Sequence, residues 1–235
     1  MIDIHSHILP LVDDGPSEIE ESIRILEKGE REGISTFVLT PHLKEPDWNR
    51  SEEIMNVFAF LQERCSHRGM NIKLILGAEI YIIPDLHNIV MNHPFATFGG
   101  KRKYVLVELP VDYMPNFCEE VFFELLLKGI TPILAHVERY VYFRNNVPKL
   151  TKWSESGILF QLNAGSLTGR NGWFTGLRAK KLLKTGLINF IASDVHAYNQ
   201  ELSLTAHAFR IAANILGDQA AEKLKTNPEY LLSYL

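Results

Sequence analysis

Five histidines and at least four acidic residues of this chain fall where short apolar runs give way to polar ones. His5 and His7 stand near the end of the run Ile2–Ile8. Two residues apart on a strand, they aim both rings from one face, with Ser6 on the other. Asp13-Asp14-Gly15 follows as a turn with two carboxylates. The same placement recurs in Thr40-Pro41-His42, Gly77-Ala78-Glu79, Val107-Glu108, Ala135-His136 and Asp194-Val195-His196. Carboxylates on apolar strands are costly unless paired or bound to a cation. Imidazoles with carboxylates and no cysteine form a donor set for Zn²⁺, Mn²⁺ or Fe²⁺ rather than Cu(I). His67, His87, His93 and His207 lie away from strand ends and read as surface or capping residues.

The elements that must position these groups alternate along the chain. Strands are expected at Ile2–Ile8, Thr36–Thr40, Ile72–Ile82, Tyr104–Leu109, Pro132–His136, Ile158–Leu162 and Ile188–Ser193. Most are near-continuous Val, Ile, Leu and Phe, as strands buried on both faces should be. Helices are expected at Ser17–Glu32, Asn116–Lys128 and Ala179–Lys184, and the last residues also read as helical. Ser17 and Glu20 have capping-box spacing, and Gly129 and Gly186 sit where C-caps belong. Roughly seven strand–helix units predict an α/β fold with a parallel sheet closed into a barrel, against the competing open doubly wound sheet. In a barrel the strand ends converge on one mouth, which would gather the histidines and carboxylates.

Composition bounds the function. The 235 residues carry 24 Lys and Arg against 28 Asp and Glu, a net −4, with 46% apolar residues. This is a globular composition with no general field for nucleic acid. No apolar run approaches the ~20 residues that span a bilayer, and no secretory signal opens the chain, so a cytoplasmic protein without membrane insertion is expected. Cys65 and Cys118 are too few for a disulfide framework. A cysteine phosphatase needs an arginine six residues after its nucleophile; Asn71 and Glu124 stand there.

The runs DIHSHILPLVDDG, TPH, GAEIYI, LVELP, ILAHVERY, QLNAGSL and ASDVH span essentially the whole chain. They resemble the bacterial protein-tyrosine phosphatases of the polymerase-and-histidinol-phosphatase (PHP) superfamily, manganese-dependent enzymes of capsule and exopolysaccharide operons. The resemblance implies a distorted (β/α)7 TIM-like barrel, a single domain over residues 1–235, and a site for three divalent ions, manganese with iron or zinc as alternatives. Carried over residue by residue, the implied ligands are His5, His7, Asp14, His42, Glu79, Glu108, His136, Asp194 and His196. Asp14 is taken because it directly precedes Gly15, as the family pattern has it; the sequence alone leaves Asp13 open. Arg139, three residues after His136, is the implied phosphate-binding residue. A surface ion pair with Glu138 is its plainer reading. A second family arginine, five residues after the last histidine and following an asparagine, has no counterpart: Glu201 and Ala197 hold those positions. Arg170, Arg178 and Arg144 are the candidate substitutes.

The chemistry follows from charge. Four carboxylates bring about −4 and three divalent ions +6, a balance suited to a phosphate dianion. Such ions lower the pKa of a bridging water toward ~7, so that hydroxide attacks phosphorus at neutral pH. Arg139 can bind two equatorial oxygens with its planar fork. A tyrosyl leaving group, with a pKa near ~10, departs more readily than an alkoxide. The expected partner is therefore a phosphotyrosine protein, by resemblance a bacterial tyrosine kinase controlling polysaccharide export. A small-molecule phosphomonoesterase of the histidinol-phosphatase kind and a non-catalytic metal-binding regulator are the alternatives. Tyr140 and Tyr142 either line the mouth or pack. Asn163 either touches substrate or shapes a turn. Trp48 and Trp173-Phe174 are read as local packing first and a peptide rim second.

Overall fold

The computed structural model describes residues 1–44, 47–144, 146–199 and 203–233. Glu201 and the Trp48 side chain lie outside the described part. The strands are β1 (Ile2–Ser6), β2 (Thr36–Leu39), β3 (His42–Leu43), β4 (Lys73–Leu76), β5 (Glu79–Tyr81), β6 (Tyr104–Glu108), β7 (Thr131–Leu134), β8 (Leu159–Asn163) and β9 (Phe190–Ala192). The helices are α1 (Ile19–Arg31), α2 (Ser51–His67), α3 (Leu86–Asn92), α4 (Cys118–Leu127), α5 (Val147–Glu155), α6 (Ala164–Leu167), α7 (Trp173–Leu183), α8 (Ser203–Leu216), α9 (Asp218–Thr226) and α10 (Pro228–Leu232). No helix among the described residues is long and apolar enough to cross a membrane.

All strand pairings are parallel, in the orders β1-β2-β4 and β3-β5-β6-β7-β8-β9. The first group runs into the second. Gly77 N–H donates to Leu39 O (2.9 Å) and Glu79 N–H to Pro41 O (3.1 Å), so β3 continues β2 and β5 continues β4. The expected strand Ile72–Ile82 is thus two short strands with Gly77-Ala78 between them. Pro41, which has no N–H, interrupts the neighbouring strand at the same level. A Cβ on Gly77 would stand 2.9 Å from the Phe98 ring, so the close approach there requires glycine. Strand neighbours follow chain order, without the reversal that an open doubly wound sheet needs. The sheet curls until β1 meets the end of β9: Ser6 bridges Val195, His7 N–H donates to Val195 O (2.8 Å), and Asp194 N–H to His5 O (3.0 Å). The result is a mixed α/β fold on a curled parallel sheet.

Two apolar layers flank that sheet. Inside the curl, Ile4, Val38, Ile75, Leu106, Ile133 and Ala192 meet, with Phe98 and Leu231 of α10 joining the same cluster. Outside, the helices cover the other strand face through a much larger cluster that includes Ile23, Leu26, Phe37, Phe122, Trp153 and Phe160. The two-residue strand period carries the inner face from Val38 to His42, Ile75 to Glu79, Leu106 to Glu108 and Ala192 to Asp194. In β1 a register irregularity between Asp3 and Ser6 accompanies the change of side from Ile4 to His5.

Gly129 and Gly186 take φ of +73° after their helices, as C-cap residues do. The Ser17 capping box does not form. Helix α1 starts at Ile19 with Glu18 as an extended N-cap and no side-chain cap. The Glu20 carboxylate is drawn instead to Arg64 (2.6 Å) and Arg68 (2.5 Å) of α2. Helix α7 begins at Trp173, six residues before the expected Ala179, because Gly172, at φ +96°, ends the loop ahead of it.

Tyr140 and Tyr142 both pack rather than line a mouth. Leu109 N–H donates to Tyr140 Oη (3.0 Å), and Tyr142 Oη donates to Pro110 O (3.0 Å), clamping the segment after β7 to the end of β6. Tyr140→Phe should leave the Leu109 N–H unpaired in a buried place and lower the unfolding free energy by about 1–3 kcal/mol. Urea denaturation followed by far-UV circular dichroism reads this, and an unchanged midpoint would deny the clamp.

Candidate metal centre

The inner face ends at the C-terminal rim in a polar layer. Glu79 lies at its centre, 1% exposed. Its Oε2 is 3.3 Å from His5 Nε2, 3.3 Å from His7 Nε2 and 3.0 Å from His42 Nδ1. Its Oε1 is 2.8 Å from His136 Nε2. Asp194 Oδ1 approaches His5 Nε2 at 3.3 Å and His7 Nε2 at 3.5 Å. Glu108 lies 3.6 Å from His136 and 3.8 Å from His42. Asp14 Oδ1 lies 3.5 Å from His196 Nε2 and 3.8 Å from His42 Nε2. His196 stacks on His7 with ring centroids 4.0 Å apart. The nine residues singled out in the sequence therefore come together. They include three overlapping groups whose donor atoms lie within 4.8 Å of one another: His7, Asp14, His42 and His196; His5, His7 and Glu79; His42, Glu79 and Glu108.

The two adjacent aspartates part company. Asp13 turns inward: Oδ2 is 2.7 Å from His7 Nδ1 and accepts His42 N–H (2.8 Å), while Oδ1 accepts Gly15 N–H (3.0 Å). It orients the His7 ring from behind. Asp14 is 66% exposed and points across the rim. Gly15 is required here, because a Cβ would stand 2.2 Å from His7 O.

A second support was not expected from sequence. Gln161 Oε1 is 3.0 Å from His5 Nδ1 and accepts His136 N–H (2.8 Å). Gln161 Nε2 donates to Asn163 Oδ1 (2.8 Å), and Asn163 Nδ2 donates to Asp194 Oδ2 (2.5 Å). Asn163 thus positions Asp194. The available signal was a pair of amides two apart, Gln161 inside the otherwise apolar Ile158–Leu162 run and Asn163 directly after it. His136 (φ +31°) and Asp194 (φ +54°) both adopt left-handed backbone, a conformation costing about 1–2 kcal/mol for such residues. Their anchored N–H groups hold them there.

The electrostatics suit cations. Burial opposes a charge on His5, but Glu79 and Asp194 outweigh it and push its pKa up to about 9. His7 is likewise raised, by Asp13 and Glu79 against burial. The Glu79 and Asp194 carboxyls are held low by the imidazoles despite burial, which pulls the other way. His196 is lowered by burial and by His7. Glu79 Oε2 is buried and has no partner in hydrogen-bonding geometry, although three imidazole nitrogens surround it. A buried carboxylate oxygen ringed by three imidazole nitrogens is a donor set that fits a divalent cation.

Arg139 stands beside the cluster, its Nη1 3.8 Å from Asp194 Oδ2 and its side chain 42% exposed. It does not pair with Glu138, which is buried and accepts Asn163 N–H (3.2 Å). Of the substitute cations, Arg170 lines a cavity of about 360 Å³ together with Arg139 and His196. Arg178 donates to Arg139 O (3.4 Å) and shares a separate crevice with Arg144. Trp173 and Phe174 are 69% and 70% exposed and pack edge to face on each other, outside the core. Cys65 and Cys118 are buried, and burial pushes their thiols up to about 11 and about 12, the reverse of nucleophilic activation.

Fold and site together define an α/β protein whose parallel strands deliver a histidine–carboxylate cluster built for divalent metals. The chain belongs to the CpsB/CapC family of capsular polysaccharide synthesis, whose model matches residues 1–233. It is 31% identical over 233 residues to the tyrosine-protein phosphatase YwqE of Bacillus subtilis, covering 99% of this chain and 91% of YwqE. It is 30% identical over 230 residues to the tyrosine-protein phosphatase CpsB of Streptococcus pneumoniae, covering 95% of this chain and 94% of CpsB. It also matches a chain from the crystal structures of YwqE and CpsB, described as unique metal-dependent tyrosine phosphatases. That match has a TM-score of 0.93 and 30% identity, and covers 100% of this chain and 95% of the other.

The carboxylates beside His5 and His7 favour protons on both rings, so cation binding competes with protonation there. The sign is fixed: a raised imidazole pKa means more bound protons at low pH, so apparent Mn²⁺ affinity should climb from pH 6 to about pH 9. Each displaced proton contributes about tenfold per pH unit. Calorimetric Mn²⁺ titrations in buffers of different ionisation heat measure both slope and proton release; a flat affinity would contradict this charge arrangement.

Proposed function

We propose that this chain is a metal-dependent protein-tyrosine phosphatase that hydrolyses phosphotyrosine in protein, acting on a bacterial tyrosine kinase that controls capsule or exopolysaccharide synthesis. The observation that carries the reading is the convergence of His5, His7, Asp14, His42, Glu79, Glu108, His136, Asp194 and His196 beside the accessible guanidinium of Arg139. The relatives' names favour it over a histidinol-phosphatase-like phosphomonoesterase or a non-catalytic regulator. We take the curled sheet to be a distorted (β/α)7 barrel of the PHP kind, forming one domain over residues 1–235 in the cytoplasm.

The nine residues would hold three divalent ions, manganese or alternatively iron or zinc. Glu79, whose two oxygens face four imidazoles, would be one of the residues that hold them. Bound ions supply Lewis acidity and a water made nucleophilic at neutral pH. The chain's own residues do the rest. Asp13 and Gln161 hold the His7 and His5 rings with their other nitrogens toward the centre. Asp194, itself held by Asn163, lies behind Arg139 and limits where the guanidinium can go. Arg139 then offers two N–H groups to phosphate oxygens, binding the dianion and stabilising the charge that redistributes during in-line displacement. The phenolate leaves without an obligatory proton donor.

Arg139→Ala should cut kcat/KM on a phosphotyrosyl peptide by about 10²–10³-fold while elemental analysis finds the metal content unchanged. His196→Ala should lower metal content and rate together. A hydrolysis panel of phosphotyrosyl peptide, phosphoserine peptide, histidinol phosphate and oligonucleotide tests the substrate class, and a preference for the alkyl phosphates would refute it.

A further inference from the structure

The cavity beside the cluster is larger than the phosphate site requires. It shares Arg139, Asp194 and His196 with the metal centre, reaches the loop between α6 and α7, and has a total volume of about 360 Å³. Whatever fills it is therefore attached to the group held at the cluster. Asp194 is the one acidic residue lining it among the described residues, and its oxygens already face His5, Asn163 and Arg139. Arg170 lines the far part, is exposed, and makes no ion pair among the described residues. Thr205 lines it too, with a buried hydroxyl that has no hydrogen-bond partner among the described residues. A cavity with one uncommitted guanidinium and one uncommitted hydroxyl calls for an anionic acceptor.

The geometry points to this cavity as a subsite for a carboxylate side chain that flanks the phosphotyrosine of the substrate, with Arg170 as the residue that selects it. The inference rests on the phosphatase reading and adds to it a sequence preference. The phosphate charge is met by the cluster and Arg139, so Arg170 is left for a second anion. Its loop is held in place. Gly169 and Gly172 take φ of +85° and +96° at either side of it. Asn171 Nδ2 donates to Ser166 Oγ (3.1 Å), and its amide sits so close over Gly165 that a Cβ there would lie 3.0 Å from Asn171 Oδ1. A planar fork on an anchored loop suits bidentate capture of a carboxylate. Trp173 and Phe174 follow at once, edge to face with centroids 4.9 Å apart, and offer exposed apolar surface to the peptide beyond.

The test compares manganese-loaded full chain on three substrates: a phosphotyrosyl peptide flanked by glutamates, the same peptide flanked by alanines, and phenyl phosphate. We expect kcat/KM to favour the glutamate peptide about five- to tenfold. The preference should fall to about one in Arg170→Ala and reverse toward a lysine-flanked peptide in Arg170→Glu. Fluorescence-anisotropy binding of the matching difluorophosphonate peptides should show the same ratios without turnover. A preference that is absent in the parent or survives in Arg170→Ala would overturn the proposal. So would an equal loss on phenyl phosphate, which would put Arg170 on the phosphate itself. If the parent hydrolysed none of the aryl phosphates, the phosphatase reading would fall with it.

Discussion

A carboxylate buried among imidazoles governs this molecule. Glu79 is all but inaccessible, yet His5, His7, His42 and His136 all come within 3.3 Å of it. Burying one charge without compensation costs several kcal/mol. The structure offsets that cost by surrounding the anion with groups that take up positive charge, either as protons or as a bound cation. The same attraction keeps His5 basic and Glu79 acidic, so protons and a divalent cation compete for the same imidazoles.

The parallel strands make that burial possible. Apolar residues fill the inside of the curl up to Val38, Ile75, Leu106 and Ala192, and the strand period then turns polar side chains onto the same face. Below the polar layer is a dry floor, which strengthens every electrostatic contact above it. Rigidity comes from the hydrogen bonds behind the cluster. Asp13, Gln161 and Asn163 each hold a member of the set from outside, so its geometry does not depend on the ion alone. The left-handed backbones of His136 and Asp194 show where the surrounding bonds overrule local preference.

Phosphate chemistry needs one more element, a cation that is free to move onto substrate. In the proposed function that place falls to Arg139, which does not pair with Glu138, its buried sequence neighbour. Its side chain is 42% exposed, with Nη1 3.8 Å from Asp194 Oδ2. The cavity that continues past it toward Arg170 makes the rim a place for a chain rather than for a small ester alone.

Type and spacing alone determined much here. Apolar strand runs, glycines after helices and histidines two apart are local patterns, and local patterns carry the strand period and the cap conformations with them. They were enough to place five histidines and at least four carboxylates at strand ends and to expect those ends at one mouth, while the set of nine followed from the family resemblance. Three kinds of fact belonged to the tertiary structure. Which of Asp13 and Asp14 faces inward was decided by the neighbouring His7 ring and His42 N–H. Glu20 left its expected cap because Arg64 and Arg68 arrive from a helix more than forty residues away in sequence. The Gln161–Asn163 relay and the separation of Arg170 from Arg178 depend on which segments the curl brings side by side. Competition among distant partners is settled by three-dimensional proximity, and no local spacing encodes it.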